Sequence, residues 1–271
     1  MGKFDKILIC TDLDGTLLKK DKTISDENIK AIEYFKSEGG YFTFVTGRTI
    51  STVDEMYKKV RPNAPIGCLN GGGVYDKEKE TYLFKMPAHR DILKLIECVD
   101  KNVDEAGILL HTFEKIYFSK ENAVTDWFSK IIGAKPIVKH YNEIDEDFAK
   151  VIFCFENEET YVKMKDLLEN HPLKDNFEFV RSEQHLFEIL PKGSGKGVSV
   201  EKLSEILGTD KTIAIGDFYN DISMFEEAKV GIAVSNACKE AIDCADYVTV
   251  SNEESAIAKV IFDIEKGNIE V

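Results

Sequence analysis

The sequence lacks an excess of basic residues, and this absence limits what the protein can bind. Its 271 residues include 35 lysines and arginines against 49 aspartates and glutamates, a formal net charge of −14. Binding along a nucleic-acid backbone requires a basic surface, so we expect no nucleic-acid partner. A small anionic ligand is not excluded, because a local site can be positive on an acidic protein.

Long apolar runs are also missing. No stretch approaches the roughly 18 apolar residues of a membrane-spanning helix, so we expect no membrane partner. The apolar run within MGKFDKILIC is too short for a secretory signal. The six cysteines form no C-x-x-C pair, and the five histidines show no metal-ligand spacing. Most of the cysteines lie in apolar runs, so we expect buried, reduced thiols in a cytoplasmic protein.

Both ends of the sequence alternate apolar strands with amphipathic helices. Near the N-terminus, strands are predicted in KILIC, YFTFVTG and PIGCLNGGG, and helices in SDENIKAIEYFKSEGG and STVDEMYKKV. Near the C-terminus, strands are predicted in TIAIGD, VGIAV and YVTV, and helices in GVSVEKLSEILG, NDISMFEEA and EESAIAKVIFDIEK. Continuous apolar strands between helices indicate a parallel sheet covered on both faces, which is an α/β fold.

The middle of the chain has a different pattern. A predicted hairpin in GVYDKEKETYLFKM and a predicted helix in HRDILKLIECVDKNVDEAG precede short strands in KIYFS, KVIFCFE, FEFVRS and HLFEIL. These strands alternate apolar and polar residues, as in a half-solvated antiparallel sheet. We therefore predict an inserted α+β domain, residues 84–190, within a core formed by residues 1–83 and 191–271. Trp127 is expected to lie in the core of the insert.

Two aspartates follow the first predicted strand, in DLDGT. Because side chains in a strand repeat every two residues, Asp12 and Asp14 can point toward one site, and Gly15 permits a sharp turn. Two neighbouring carboxylates are costly unless a cation or a shared proton compensates them. Mg²⁺ suits this role, because it prefers oxygen ligands and keeps room for water and phosphate. A solvated acidic turn is the alternative explanation.

A threonine and a glycine end the second strand, in FVTGR. The hydroxyl of Thr46 and the backbone N–H groups near Gly47 can bind an oxyanion, although a simple helix cap explains the same residues. Arg48 is either a phosphate ligand or a surface cation.

Lysines and glycines occur together in PKGSGKGVSV, but they do not form a P-loop. Leu190 and Gly197 stand where that motif requires a glycine and a serine or threonine. What remains is Lys196 at the predicted start of a helix, with Lys192 nearby, and either can meet an anion there. Both are also consistent with exposed loop lysines.

A last acidic group stands in IAIGDFYND. Asp217 leaves an apolar strand just as Asp12 does, and Asn220 and Asp221 open the next helix. In open parallel sheets ligands bind beyond the carboxyl ends of the strands. If the two strands are neighbours, these carboxylates form a cradle for a metal ion, whereas favourable charge at a helix N-terminus is the alternative.

The order of these motifs resembles that of the haloacid dehalogenase superfamily of phosphohydrolases along the whole chain. DLDGT is similar to its first motif, TGR to its second, Lys196 to its third and GDFYND to its fourth. The insertion resembles the C2B-type cap of the Cof-like sugar-phosphatase group, as do NGG at 70–72 and residues 182–188. The resemblance implies a Rossmann-like parallel sheet core with an inserted α+β cap.

The resemblance also implies a mechanism. Asp12 would attack phosphorus and form an aspartyl phosphate, while Asp14 would protonate the leaving oxygen and then activate water. Mg²⁺ would be the cofactor, held by Asp12, the backbone carbonyl of Asp14 and Asp217, with Asp221 holding a metal-bound water. Thr46 and Lys196 would bind phosphoryl oxygens in catalysis. The residues implied in substrate binding are Thr46, Gly47, Arg48, Asn70, Gly71, Lys196 and Asn220.

The leading hypothesis is therefore a Mg²⁺-dependent, monomeric, cytoplasmic phosphatase that hydrolyses small phosphomonoesters such as sugar phosphates. A phosphomutase or other phosphotransferase would use the same intermediate, and a non-catalytic regulator would bind phosphosugars without turnover. Residues of the insert would set specificity, with His111, Arg181 and His185 as candidates, although packing or surface roles also suit these three residues.

Overall fold

The computed structural model describes residues 2–133 and 135–271, and these form two compact units. We name them the core unit, Met1–Arg48, Val53–Lys85 and Gly195–Val271, and the inserted unit, Thr49–Thr52 and Met86–Ser194. The sequence predicted the joins after residues 83 and 190. Both positions lie inside strands, Thr81–Lys85 and Leu186–Pro191, and the structure divides the chain beyond the ends of these strands.

The elements follow one another in chain order. The strands are β1 (Leu8–Thr11), β2 (Tyr41–Phe44), β3 (Ile66–Cys68), β4 (Gly73–Asp76), β5 (Thr81–Lys85), β6 (Gly107–Thr112), β7 (Ile116–Lys120), β8 (Ile137–Val138), β9 (Phe148–Cys154), β10 (Phe177–Glu183), β11 (Leu186–Pro191), β12 (Thr212–Gly216), β13 (Val230–Val234) and β14 (Tyr247–Thr249). The α-helices are α1 (Asp26–Ser37), α2 (Asp54–Val60), α3 (Ile92–Asn102), α4 (Ala123–Ile132), α5 (Glu158–Glu169), α6 (Lys196–Leu207), α7 (Ile222–Glu227), α8 (Lys239–Cys244) and α9 (Ala256–Glu265).

The core unit contains a parallel sheet with the strand order β14-β13-β12-β1-β2. Cys10 of β1 packs in a buried apolar cluster with Leu203 of α6 and Met224 of α7. Ile9, whose side chain points to the opposite face of the sheet, is also fully buried. The sheet is therefore covered on both faces, and the predicted α/β parallel core is confirmed.

The third predicted strand does not join this sheet along its length. β3 instead pairs antiparallel with β4 in a three-stranded sheet, β3-β4-β5, and a single parallel bridge joins Gly67 to Val45. The reason is a tight 3-10 turn, Leu69–Gly71, which ends β3 after three residues. The hairpin predicted after it is present as β4 and β5.

The inserted unit is built on a six-stranded sheet of order β10-β11-β9-β6-β7-β8, antiparallel except for the β7–β8 pair. One face packs against α3 and α5 through residues such as Leu95, Val151 and Met164. The other face contacts α4, where Phe128 packs near Ile152. Both faces are therefore covered, and the predicted antiparallel α+β insert is present.

The expectation of a half-solvated sheet was wrong for the central strands. β6, β9 and β11 are buried along their whole length, and β6 itself was not predicted. Lys150 and Glu188 supplied part of the polar pattern, but they form a 2.8 Å ion pair with 2% of each side chain exposed. Trp127 was also misplaced, since 43% of it is exposed on α4.

Two further expectations concern the whole chain. Across residues 2–133 and 135–271, no helix is both long and apolar enough to cross a membrane. All six cysteines lie in this part of the chain and are free thiols. Cys10, Cys68 and Cys154 are buried, as predicted, whereas Cys244 is exposed.

Candidate active site

The register of the parallel sheet brings the predicted motifs to one edge. Thr11, the last residue of β1, pairs with Phe44 of β2 and with Ile215 of β12. Asp12 therefore leaves the sheet at the same level as the residues that follow these two neighbouring strands. Asp217 comes one residue after the end of β12, and its carboxylate reaches the same place as that of Asp12.

An acidic cluster forms at this edge. Carboxylate oxygens of Asp12, Asp217 and Asp221 all lie within 4.8 Å of one another. Burial raises the pKa of Asp217 well above its usual range, and the charges of the other two aspartates raise it further. Three carboxylates this close in a buried setting are unfavourable unless cations compensate them.

One cation that compensates them is Lys196, the first residue of α6. Its Nζ donates to Asp12 Oδ1 at 2.6 Å and also to Asp221 Oδ1, and only 2% of its side chain is exposed. Burial lowers the pKa of Lys196, but the two carboxylates outweigh burial and raise it overall. Burial raises the pKa of Asp12 to about 7, and the charge of Lys196 limits the rise. The lysine is thus a fixed positive charge beside Asp12.

The glycine and threonine of DLDGT position Asp217. Thr16 Oγ1 donates to Asp217 Oδ1 at 2.8 Å. Gly15 has φ of +85°, and a Cβ there would lie 2.4 Å from Asp217 Oδ2. Only glycine fits both the left-handed backbone and this close approach. The first and fourth motifs are therefore packed directly against each other.

Asp221 is the most enclosed carboxylate of the cluster, with 1% of its side chain exposed. Its Oδ2 accepts hydrogen bonds from the backbone N–H groups of Asp217, at 2.8 Å, and Phe218, at 3.0 Å. Because Oδ1 accepts from Lys196, both oxygens are engaged. Asp221 therefore holds the loop after β12 and orients Lys196.

Asp14 points to a different set of partners. Arg48 donates to it twice, from Nε at 2.6 Å and from Nη2 at 2.8 Å, and Lys22 Nζ donates at 2.8 Å. Burial opposes ionisation, but these bonds outweigh it and lower the pKa of Asp14 to about 2. Within the described residues, the carboxylates that could share a metal ion do not include that of Asp14. Arg48 is thus not a free surface cation, and its Nε and Nη2 groups are occupied by Asp14 rather than open to a ligand.

The threonine after β2 lies beside two asparagines. Thr46 is 1% exposed, and its hydroxyl accepts from the backbone N–H of Arg48 at 3.2 Å. Asn70 is fully buried, and its Oδ1 accepts from Asn220 Nδ2 at 3.1 Å. A Cβ on Gly47 would lie 3.0 Å from Asn70 Oδ1, so these residues are in contact. The structure therefore joins the second and fourth motifs through Asn70.

Gly71, implied in substrate binding, is packed against protein backbone. Its φ is +89°, and a Cβ there would lie 1.9 Å from the carbonyl oxygen of Gly195. Gly195 precedes Lys196, so this contact fixes the start of α6.

The other candidates lie in the inserted unit, and most have structural partners. Lys192 forms an ion pair with Glu178 and is 61% exposed. Arg181 forms a two-point ion pair with Glu158 and lies over the ring of Tyr161. These contacts support the alternative that Arg181 has a packing role.

The two histidine candidates differ from each other. His185 Nδ1 lies 3.1 Å from the backbone oxygen of Phe155. His111 is 2% exposed, and neither ring nitrogen has a hydrogen-bond partner among the described residues. Burial, followed by the charge of Lys150, lowers the pKa of His111 well below its usual value.

The acidic cluster fits a metal ion by the chemistry of its donors. Its three ligand atoms are carboxylate oxygens, which hard divalent cations prefer. Lys196 supplies one positive charge against three carboxylates, so the cluster retains negative charge that a cation would neutralise.

Sequence reasoning missed two contributors, Thr16 and Lys22. Thr16 stands inside the quoted motif, and its spacing from Asp14 could have suggested a role. Lys22 gave no signal, because its contact with Asp14 depends on the turn that follows β1.

Comparisons with known proteins identify the family. A family model described as haloacid dehalogenase-like hydrolase matches residues 9–261. YwtE of Bacillus subtilis (strain 168), named 5-amino-6-(5-phospho-D-ribitylamino)uracil phosphatase, is 32% identical over 288 residues, which covers 96% of this chain and 98% of YwtE.

Solved structures agree on the fold. A haloacid dehalogenase-like hydrolase from Bacteroides thetaiotaomicron has a TM-score of 0.81 at 25% identity, covering 96% of this chain and 100% of its own. BT4131, described as a subclass IIB sugar phosphatase, has a TM-score of 0.83 at 22% identity, covering 95% of this chain and 99% of its own. As its motifs predicted, the chain belongs to the haloacid dehalogenase-like hydrolase family, and it is an enzyme of the phosphatase type.

Proposed function

We propose that this protein is a Mg²⁺-dependent phosphatase that hydrolyses phosphate esters of sugars or sugar alcohols through an aspartyl phosphate on Asp12. The observation that carries the proposal is the pairing of Asp12 with a buried lysine inside an acidic cluster. A carboxylate beside a fixed positive charge can attack a negatively charged ester that an isolated carboxylate would repel.

In the first step, a carboxylate oxygen of Asp12 forms a bond to phosphorus, and the bond from phosphorus to the ester oxygen breaks. Asp14 gives its proton to the departing oxygen, which leaves as an alcohol. Lys196 and Thr46 hold the phosphoryl oxygens, on which charge is spread during transfer. Asp12, Asp217 and the backbone carbonyl of Asp14 would hold Mg²⁺, with Asp221 holding a metal-bound water, and the ion when bound neutralises phosphoryl charge and polarises a phosphoryl oxygen.

In the second step, water attacks phosphorus, the bond to Asp12 breaks, and Asp14 takes the proton from the water. Inorganic phosphate is then released. Asp14 can hold that proton only when one of its cations takes another partner, because Arg48 and Lys22 favour the carboxylate. The phosphate group of a substrate is an anion that offers such a partner to either cation.

The name of YwtE supports the substrate class. That protein is described as acting on a compound whose phosphate is carried by a ribityl chain, which is a sugar alcohol. We extend this class to the present chain, and we propose that the enzyme works in the cytoplasm as a monomer on small phosphorylated metabolites.

The test is release of inorganic phosphate from a substrate panel in the presence of MgCl₂. The panel contains sugar phosphates, phosphoglycolate, pyridoxal phosphate, flavin mononucleotide and 5-amino-6-(5-phospho-D-ribitylamino)uracil. The matched control is Asp12→Asn, which keeps the shape of the side chain but removes the nucleophile. We expect the control to lose several orders of magnitude in turnover, since a covalent nucleophile has no substitute.

Phosphate must also appear as fast as the ester disappears. If it appeared more slowly and a new phosphate ester accumulated, a phosphotransferase would replace the proposal. If the panel bound to the protein without turnover, a regulator would replace it.

A further inference from the structure

We propose that Leu69, Asn70 and Gly71 form a brace that sets the spacing of the phosphate-binding loops, and that Asn70 is a positioning residue for the reaction. This inference rests on the proposed function, because it concerns the residues assigned to that reaction. It gives Asn70 a role different from the direct substrate contact that the family resemblance implies.

The backbone of the brace is unusual. Leu69, Asn70 and Gly71 are consecutive residues with φ of +57°, +53° and +89°. The left-handed region is unfavourable for residues with a side chain, and only asparagine and glycine visit it routinely. Such conformations persist where the surrounding structure determines them, and they concentrate at functional sites. Leu69 in particular needs an external cause for its conformation.

The first cause is the loop after β2. The backbone N–H of Leu69 donates to the carbonyl oxygen of Arg48 at 3.1 Å, and that of Asn70 donates to the carbonyl oxygen of Thr46 at 3.2 Å. The brace therefore holds the loop on both sides of Gly47. The Thr46 hydroxyl is assigned to the phosphoryl group, so its position depends on these two bonds.

The second contact is with the loop after β12. Asn220 Nδ2 donates to Asn70 Oδ1 at 3.1 Å, and Asn70 is fully buried. Asn220 directly precedes Asp221, a member of the acidic cluster. One buried carboxamide thus joins the phosphate-binding loop to the metal-binding loop.

The third contact is with the start of α6. The close approach of Gly71 to the Gly195 carbonyl fixes the residue before Lys196. The brace therefore contacts all three segments that carry Thr46, Lys196 and Asp221. Because misplacing a reacting group by about 1 Å can cost roughly 100-fold in rate, a loose brace would slow the reaction without removing any catalytic group.

The test compares three variants with the wild type. Asn70→Gly removes the carboxamide but places glycine, which adopts left-handed backbone without steric cost, at this position. Asn220→Ala removes the donor, and the double variant removes both. The matched control is Arg61→Gly, since Arg61 also has a positive φ, +48°, and ends α2 in the same unit. Activity, inorganic phosphate affinity by calorimetry and thermal unfolding are measured for each.

We expect Asn70→Gly to lose roughly 10- to 100-fold in kcat, with a smaller change in KM, while its melting temperature stays near that of the wild type. We also expect its affinity for inorganic phosphate to fall. For Arg61→Gly we expect neither kcat nor phosphate affinity to change. The double variant loses little beyond the larger single effect, because both changes break one contact.

Three results would overturn the brace. One is wild-type kcat and phosphate affinity in Asn70→Gly. Another is a rise in KM without a fall in kcat, with single-variant effects on KM that multiply in the double variant. That result would indicate that Asn70 and Asn220 each contact the substrate directly. The third is a loss of activity in Asn70→Gly that is accompanied by a large fall in its melting temperature, which would indicate that Asn70 has a purely structural role. If the wild type hydrolysed nothing, the proposed function would fail, and the phosphate affinities would still decide the role of Asn70.

Discussion

Gly71→Ala tests the contact between the 3-10 turn and the start of α6. A Cβ at residue 71 would lie 1.9 Å from the carbonyl oxygen of Gly195 and 2.6 Å from its carbonyl carbon. Both are backbone atoms, so no side-chain rotation can relieve the overlap. The backbone at Gly71 also has φ of +89°, which disfavours alanine independently.

These two effects can be separated by a control in the same unit. Gly208, at the end of α6, has φ of +63°, and a Cβ there would meet nothing within 4 Å. Alanine in the left-handed region costs about 1–2 kcal/mol, offset by about 0.4–1 kcal/mol from the less flexible unfolded chain. Gly71→Ala and Gly208→Ala share this net backbone cost. The overlap adds about 1–3 kcal/mol for Gly71→Ala alone, and this is the expected difference between the variants.

The assay is urea denaturation followed by far-ultraviolet circular dichroism. Fluorescence of the single tryptophan is unsuitable, because Trp127 belongs to the inserted unit. We also expect Gly71→Ala to lower kcat, since relief of the overlap must displace the residue that precedes Lys196. Equal destabilisation by the two variants would refute the close packing. Full activity in a destabilised Gly71→Ala would refute its link to Lys196.

Three further perturbations test the charges. Lys196→Met should lower the free energy of unfolding by about 3–5 kcal/mol, measured in urea, because it leaves Asp12 and Asp221 without their buried cation. Removal of divalent ions by a chelator should abolish phosphate release, and added MgCl₂ should restore it. Below pH 6.5 His111 should cost the wild type up to about 1.4 kcal/mol of stability per pH unit relative to His111→Leu, because His111 takes up a proton in the unfolded chain before it does so in the fold. Asp12 and Asp217, whose pKa values are raised in the fold, act in the opposite direction in both proteins.

Each of these expectations has a contrary result. A Lys196→Met protein as stable as the wild type would mean that the buried pair is not electrostatically important. Full activity in the chelator would exclude the metal. The His111 comparison uses urea midpoints at pH 7.5 and 5.5. Equal changes in stability between these pH values in the wild type and His111→Leu would show that this histidine is protonated equally in the folded and unfolded states.

The core was predictable because its signals are local. The apolar runs before Asp12 and Asp217 identify strands, and the rule that ligands bind beyond the carboxyl ends of parallel strands identifies the edge of the sheet. The sequence left the adjacency of the two strands open, and the structure supplies it by pairing β1 with β12. Ser25, at the start of the predicted helix SDENIKAIEYFKSEGG, is a residue type that caps helices, and its hydroxyl accepts from the backbone N–H of Asn28. Where chemistry follows directly from the end of a strand, sequence alone places it well.

The remaining features depend on partners distant in sequence. Lys150 and Glu188 have the pattern of solvent-facing residues until their strands bring them together across 38 positions. Leu69 has no propensity for a left-handed conformation, so hydrogen bonds to another loop must impose it. Lys22 is an ordinary loop lysine until the chain folds back on Asp14. In each case the cause is tertiary, and no local rule contains it.

The distribution of charge separates the roles of the four aspartates. Asp14 is held by two cations, Arg48 and Lys22, so its charge is more than compensated where it lies. Asp12, Asp217 and Asp221 share one ammonium group, so three negative charges against one positive charge leave a formal −2. That is the charge that one divalent cation cancels.

A phosphomonoester then brings about two negative charges of its own at neutral pH. Without a divalent cation, burial and mutual repulsion raise the pKa values of Asp12 and Asp217, so protons compensate part of the charge, and a protonated Asp12 cannot attack phosphorus. A bound divalent cation would instead compensate the carboxylates without protonating the nucleophile, and it would also offset the charge of the phosphate. We therefore expect chelation to leave too little ionised Asp12 for attack, so that phosphate release stops until MgCl₂ is added.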